Sequence, residues 1–272
     1  MKKYSIGLQL YSVYNDVKED MEGTLKKVAE MGYDCVEITG YHDHSAEEIK
    51  AMCEKYNLEP ISVHQPPNPI LDEPDTMIPF LKALGVQFSA IPWMGEWETN
   101  FEENIAKIKQ VGKLLKENGI QLLYHNHDFE LTTLRNGVRV LDAIFEKAGD
   151  VLAPELDLCW VHYAGCDPVE YIKKYGDKEE LIHIKDFECK NLNAGAVYAL
   201  VDEKGNDGSR NKETDGFEFR PIGYGRQDIK ALFEAMEDTN IKYVIVEQDA
   251  HPTNTPLEDA KISIDYIRSL GY

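Results

Sequence analysis

Eight times along the 272 residues of this chain, a short apolar run ends in a polar residue and leads into a helical pattern. The runs fall near 4–11, 33–39, 59–64, 86–92, 120–127, 151–157, 181–186 and 243–247. In the first, Ile6, Leu8 and Leu10 alternate with Ser5, Gly7 and Gln9, the period of two expected of a strand. Helices are predicted between them, near 18–31, from Ser45, then 75–84, 101–118, 138–148, 168–175, 228–238 and 256–270. Their ends carry recognisable signals. Gly32 and Gly119 stop two helices, and Pro168 opens one where its missing N–H costs nothing. Ser45 with Glu48 three residues on reads as a capping box.

Strands alternating with helices imply parallel βαβ units. Eight such units predict an α/β fold, a (β/α)8 TIM barrel spanning 1–272 as one domain. A barrel points every strand's C-terminal end at one face, and there the side chains turn chemical. His125 shares strand parity with His127, Glu155 with Asp157, His183 with Lys185, and Glu247 with Asp249. A buried carboxylate is costly unless paired or bound to a cation, so several in one mouth favour a divalent metal. A mixed N/O donor set suits Mn²⁺, Co²⁺, Zn²⁺ or Fe²⁺ and leaves Mg²⁺ open. Each residue alone also fits a satisfied core histidine or a solvated loop acid. The segment 188–220 breaks the rhythm after strand seven, on the mouth face, where a long loop is either a lid or a surface insertion.

Composition narrows the partners. With 29 Lys+Arg against 49 Asp+Glu, the net charge is −20. Such a surface repels phosphate backbones and anionic membranes, so neither nucleic acid nor a membrane is expected as a partner. Five cysteines without CxxC spacing suit reduced thiols and a cytoplasmic location. The apolar start 4–10 is too short, and too interrupted by Gln9, for a signal peptide.

The segments Gly7-Leu8-Gln9-Leu10-Tyr11-Ser12-Val13, Tyr124-His125-Asn126-His127-Asp128-Phe129-Glu130, Glu155-Leu156-Asp157, His183-Ile184-Lys185-Asp186 and Val246-Glu247-Gln248-Asp249 occur in this order. Together with Val36-Glu37 and His64, they resemble the sugar-phosphate isomerase/epimerase family of the xylose-isomerase-like barrels. That resemblance implies a divalent metal held at the ends of strands five to eight by His125, Asp157, His183 and Glu247. Many relatives carry glutamate where this chain has His125, so Glu130 folding back is the competing fourth ligand. The resemblance further implies Glu247 as proton-transfer base, with His125, His127 or Glu130 acting from the other side. Glu37, His64 and Lys185 would orient substrate hydroxyls, and Trp160 would stack on a sugar face. The expected activity is a metal-dependent isomerase or epimerase on a ketose, keto-sugar or sugar phosphate. A dehydratase of a keto-sugar or inosose is the alternative on the same metal site. Relatives are often dimers or tetramers, which leaves a homo-oligomer open.

Overall fold

The structure, a computed structural model, describes residues 3–64, 69–94, 97, 99–192 and 216–272. Its centre is a ring of parallel strands: β1 (Ser5–Gln9), β2 (Cys35–Ile38), β3 (Glu59–His64), β4 (Phe88–Ile91), β5 (Gln121–His125), β6 (Leu152–Glu155), β7 (Leu181–Ile184) and β8 (Tyr243–Val246). They are hydrogen-bonded in the order β6-β5-β4-β3-β2-β1-β8-β7, which is sequence order wrapped into a circle. Between β6 and β7 the ladder shrinks to a single parallel bridge, Asp157 to His183. This is a nearly closed TIM barrel, as the alternating pattern predicts.

The strands are shorter than the apolar runs that foretold them. The run 120–127 leaves the sheet after His125, 151–157 after Glu155, and 181–186 after Ile184. Their last residues are buried at the mouth, outside the barrel strands, and apolarity reports burial of either kind. The predicted helix 18–31 is divided because Asp20 leaves the helix to cap Met21–Met31, accepting from the Gly23 N–H at 2.9 Å. The capping box at Ser45 and Glu48 forms, with both reciprocal hydrogen bonds present.

Two apolar layers hold the ring. The larger lies between strands and helices and includes Leu8, Val36, Leu122, Ile182 and Val244. The smaller fills the barrel interior with Cys35, Phe88, Ala90, Leu123, Leu181 and Ile245. Gly7 faces this interior, where an added Cβ would collide with Ile245 Cδ1 and Cys35 Sγ. Above the apolar plug the interior turns polar, so the barrel is a sealed cup opening at the strands' C-terminal ends.

Loops at that end carry additions the periodicity did not reveal. After β5 come the short helix Phe129–Thr132 and a hairpin pairing Leu134 with Arg139. Asp157 is followed directly by the helix Leu158–Tyr163. After β7, Asp186–Glu188 pairs antiparallel with Glu218–Arg220, bracketing the segment expected as a lid; its residues 193–215 lie outside those described. Among the described residues, no helix is long and apolar enough to cross a membrane.

Candidate active site

Strand pairing assembles the site. Register sets Gln9 beside Glu37, His125 beside Glu155, and Asp157 beside His183. Lys185 and Asp249 lie two residues beyond His183 and Glu247, the spacing that keeps both members of each pair on one face. Asp157 is oriented twice over. Its Oδ1 caps the following helix, accepting from Cys159 N at 2.8 Å and Trp160 N at 3.3 Å, and its own N–H donates to Asn126 Oδ1 at 3.0 Å. Only Oδ2 is left for the cup.

Inside, carboxylates and imidazoles alternate at contact distance. His183 lies between Glu247 Oε2, 2.8 Å from Nδ1, and Glu37 Oε1, 2.9 Å from Nε2. His64 Nδ1 is 3.2 Å from Glu37 and 3.3 Å from Glu155. His125 Nδ1 is 3.1 Å from Glu155, and its Nε2 is 3.6 Å from Asp157 Oδ2. Lys185 Nζ closes the group, 3.2 Å from Asp157, 2.9 Å from Glu247 and 3.1 Å from Asp249. Gln9 donates to Glu37 at 2.9 Å, while its own Oε1 accepts from Thr39 at 2.8 Å.

Burying so many charges together drives their proton affinities apart. Burial pushes the Asp157 carboxyl up to about 6, and burial together with the Glu37 charge takes Glu155 up to about 7. Glu247 and Glu37 go the other way. Burial opposes their ionisation, but Lys185 and His183 outweigh it for Glu247, as His183 and His64 do for Glu37. His64 rises to about 9 because Glu155 and Glu37 overcome its burial. Burial and neighbouring positive charges depress His125 and His127 well below the usual imidazole range.

A divalent cation suits this arrangement. One ligand atom from each of His125, Asp157, His183 and Glu247 lies within 4.8 Å of the others, giving two nitrogen and two oxygen donors. A second grouping of His64, His125, Glu155 and His183 overlaps it. Asp157 Oδ2 in the first grouping and Glu155 Oε1 in the second are buried without a hydrogen-bond partner, and such orphaned carboxylate oxygens are what a cation relieves. Lys185 competes for Asp157 and Glu247, yet Asp249 offers it an anchor outside the four-residue set.

The residues proposed from sequence divide by place. Glu37, His64, His125, Asp157, His183, Lys185 and Glu247 converge in the cup, whereas Glu130 stands apart. Glu130 Oε1 accepts from the Tyr124 hydroxyl at 2.6 Å and Oε2 from the His127 N–H at 2.9 Å, and burial raises the carboxyl to about 8. It is a bracket for the strand-five loop and belongs to neither metal-sized grouping. Trp160 is fully buried, stacked on Phe217 at 5.5 Å with His127 6.0 Å away, so its faces serve packing and not an open sugar platform. His127 reaches the edge of the cup at 7% exposure, beside His64 at 8% and Glu247 at 6%. Gln9, Asn126 and Glu179 escaped the sequence reading. Amides and a turn glutamate carry no periodic signal, and only strand pairing reveals what they support.

An inosose dehydratase of Mesomycoplasma hyopneumoniae is 27% identical over 305 aligned positions, covering 99% of this chain and 97% of that protein. One from Clostridium perfringens is 28% identical over 177 residues, 64% of this chain and about half, 54%, of that relative. A sugar phosphate isomerase/epimerase from Parabacteroides distasonis superposes with a TM-score of 0.74 at 19% identity, over 99% of this chain and 95% of its own. The IolI protein, solved with a zinc atom, superposes with a TM-score of 0.67 at 15% identity, over 98% and 97% of the two chains. The family model for xylose isomerase-like TIM barrels matches residues 25–270, and the chain belongs to that family.

Proposed function

We propose that this chain is a divalent-metal-dependent dehydratase acting on an inosose or a closely related cyclic keto-polyol. The observation that carries the reading is a pair of imidazoles with opposite proton preferences at the edge of one carboxylate-lined cup. Without a cation, the Glu155 and Glu37 carboxylates 3.3 and 3.2 Å away raise His64 to about 9, while burial and Lys185 depress His127 well below the usual imidazole range. Elimination of water needs one group to take a proton and another to give one, and well-separated proton affinities are how a site supplies both. The full-length similarity to an inosose dehydratase supports the same substrate class.

A cation held by His125, Asp157, His183 and Glu247 would supply Lewis-acid polarisation of the substrate carbonyl, which acidifies the neighbouring C–H. The chain's residues do the rest. His127 takes the proton from the carbon beside the carbonyl. Its electron pair forms the new C=C bond as the C–O bond to the β-hydroxyl breaks, and His64 protonates the departing oxygen so that it leaves as water. Lys185 and Asp249 orient substrate hydroxyls near the cup's edge. Glu247 is better suited to ligation than to the base role its position suggests, because Lys185 and His183 hold its proton affinity well below the carboxylate range.

Incubation of the metal-loaded protein with an inosose in D₂O, followed by NMR and mass spectrometry, tests the reading. Loss of one water per turnover is expected. Deuterium exchange at the same carbon with no loss of water would replace the dehydratase with an isomerase or epimerase.

A further inference from the structure

The seam between β6 and β7 is where the ladder is thinnest, and both sides of it carry proposed metal ligands. Asp157 follows β6 and His183 lies within β7, and a single bridge joins them. Glu179, in the turn before β7, extends a fully buried side chain into this seam. Its Oε1 accepts from the Leu156 N–H at 2.6 Å, while the Leu156 carbonyl accepts from the His183 N–H at 2.8 Å. Leu156 is the residue between Glu155 and Asp157. Here a carboxyl oxygen takes the place of a neighbouring strand's carbonyl, as the exposed Asp34 does for the Ile6 N–H of β1 at 2.9 Å; Glu179 does so fully buried. Burial raises this carboxyl to about 8, and its Oε2 has no hydrogen-bond partner. So costly a buried group, touching no proposed reactant, needs a reason to be where it is.

We propose that Glu179 is a positioning residue for the metal group: by fixing the Leu156 peptide across the seam, it sets the spacing of the Glu155 and Asp157 carboxylates from His183. The inference rests on the metal reading of His125, Asp157, His183 and Glu247, and not on the substrate assigned above. Supporting partners of metal ligands contribute about ten- to hundredfold to metal affinity.

Zn²⁺ binding to chelator-stripped protein, measured by competition with a chromophoric chelator, provides a readout independent of turnover. A His183→Asn control identifies the fraction bound in the cup. Glu179→Gln retains an acceptor for the Leu156 N–H and is expected to stay within about threefold of wild type, whereas Glu179→Leu, which has none, should lose about tenfold or more. Circular dichroism confirms that each variant is folded. If the leucine variant is not, Glu179→Met, unbranched and of similar reach, takes its place under the same criteria. Unchanged affinity without the acceptor would overturn the proposal. So would equal losses in the Gln and Leu variants, which would mean that charge and not the hydrogen bond matters, or a wild-type protein that binds no Zn²⁺ in the cup. A protein that binds Zn²⁺ as described but fails to dehydrate an inosose would overturn the functional reading alone.

Discussion

His64 and His127 flank His125, with ring centroids 4.7 and 5.2 Å from it, yet their surroundings give them opposite proton preferences. His64 faces two carboxylates, whereas the Lys185 charge adds to burial in depressing His127, and on the proposed reading one ring gives a proton and the other takes one. His127→Asn should therefore keep the cation and lose about a hundredfold in turnover, the scale of a positioned acid–base group. A kcat within a few-fold of wild type, with metal content intact, would reduce His127 to packing against Phe129. His183 makes a separate prediction. The Glu37 and Glu155 charges, with the hydrogen bonds that the ring donates to Glu247 and Glu37, outweigh its burial and lift it well above the usual imidazole range, so without a cation it is protonated at neutral pH. A metal must displace that proton, so uptake should release protons and affinity should rise with pH. Calorimetric titrations in buffers of different ionisation enthalpy would count them, and a heat independent of buffer would contradict the assignment.

Among the described residues after β7, the backbone is gathered around one carboxylate. Asp186 Oδ2 accepts from Gly223 N and Gly225 N, both at 2.9 Å, and Oδ1 accepts from Phe187 N at 2.9 Å and Gln227 N at 3.0 Å. A Cβ at Gly225 would collide with that carboxylate, so the backbone's close approach serves Asp186 and not a ligand. Asp186→Ala strands four donors and should cost roughly 2–4 kcal/mol. Hydrogen exchange should quicken over 223–227 while the barrel strands stay protected; uniform loss of protection would show that the loop is not a separate unit. What could be read beforehand follows the same division. Strand parity is a backbone rule, so it located His125, Asp157, His183, Lys185 and Glu247 without knowledge of their partners. Glu130 was misplaced because position in sequence says nothing of the Tyr124 hydroxyl and His127 N–H that claim it. Trp160 resembled a sugar platform because its cover comes from Phe217 and Phe219, more than fifty residues away, in a stretch without periodicity.

Taken together, the barrel's buried acids tie its stability to pH. Glu130 and Glu179 are both raised from an ordinary 4.5 to about 8, chiefly by burial, and neither belongs to the proposed ligand set. A group whose folded-state proton affinity exceeds its unfolded one stabilises the fold fully below the unfolded value and loses that contribution as pH rises through the folded value. Between about pH 4.5 and 8, each such group subtracts up to about 1.4 kcal/mol per pH unit. The cup adds terms of both signs, since Asp157 and Glu155 are raised while Glu37 and Glu247 are lowered, so the slope of the wild-type protein alone is not diagnostic. Glu130→Gln isolates one term. An amide matches the protonated carboxyl in shape, can donate to the Tyr124 hydroxyl and can still accept from the His127 N–H. In chelator, urea unfolding of wild type and variant should give nearly equal stability near pH 5 and an increasing advantage for Glu130→Gln toward pH 8. A constant difference across that range would mean that Glu130 folds with its charge intact, and that the bracket beneath His127 is an ion and not a neutral acid.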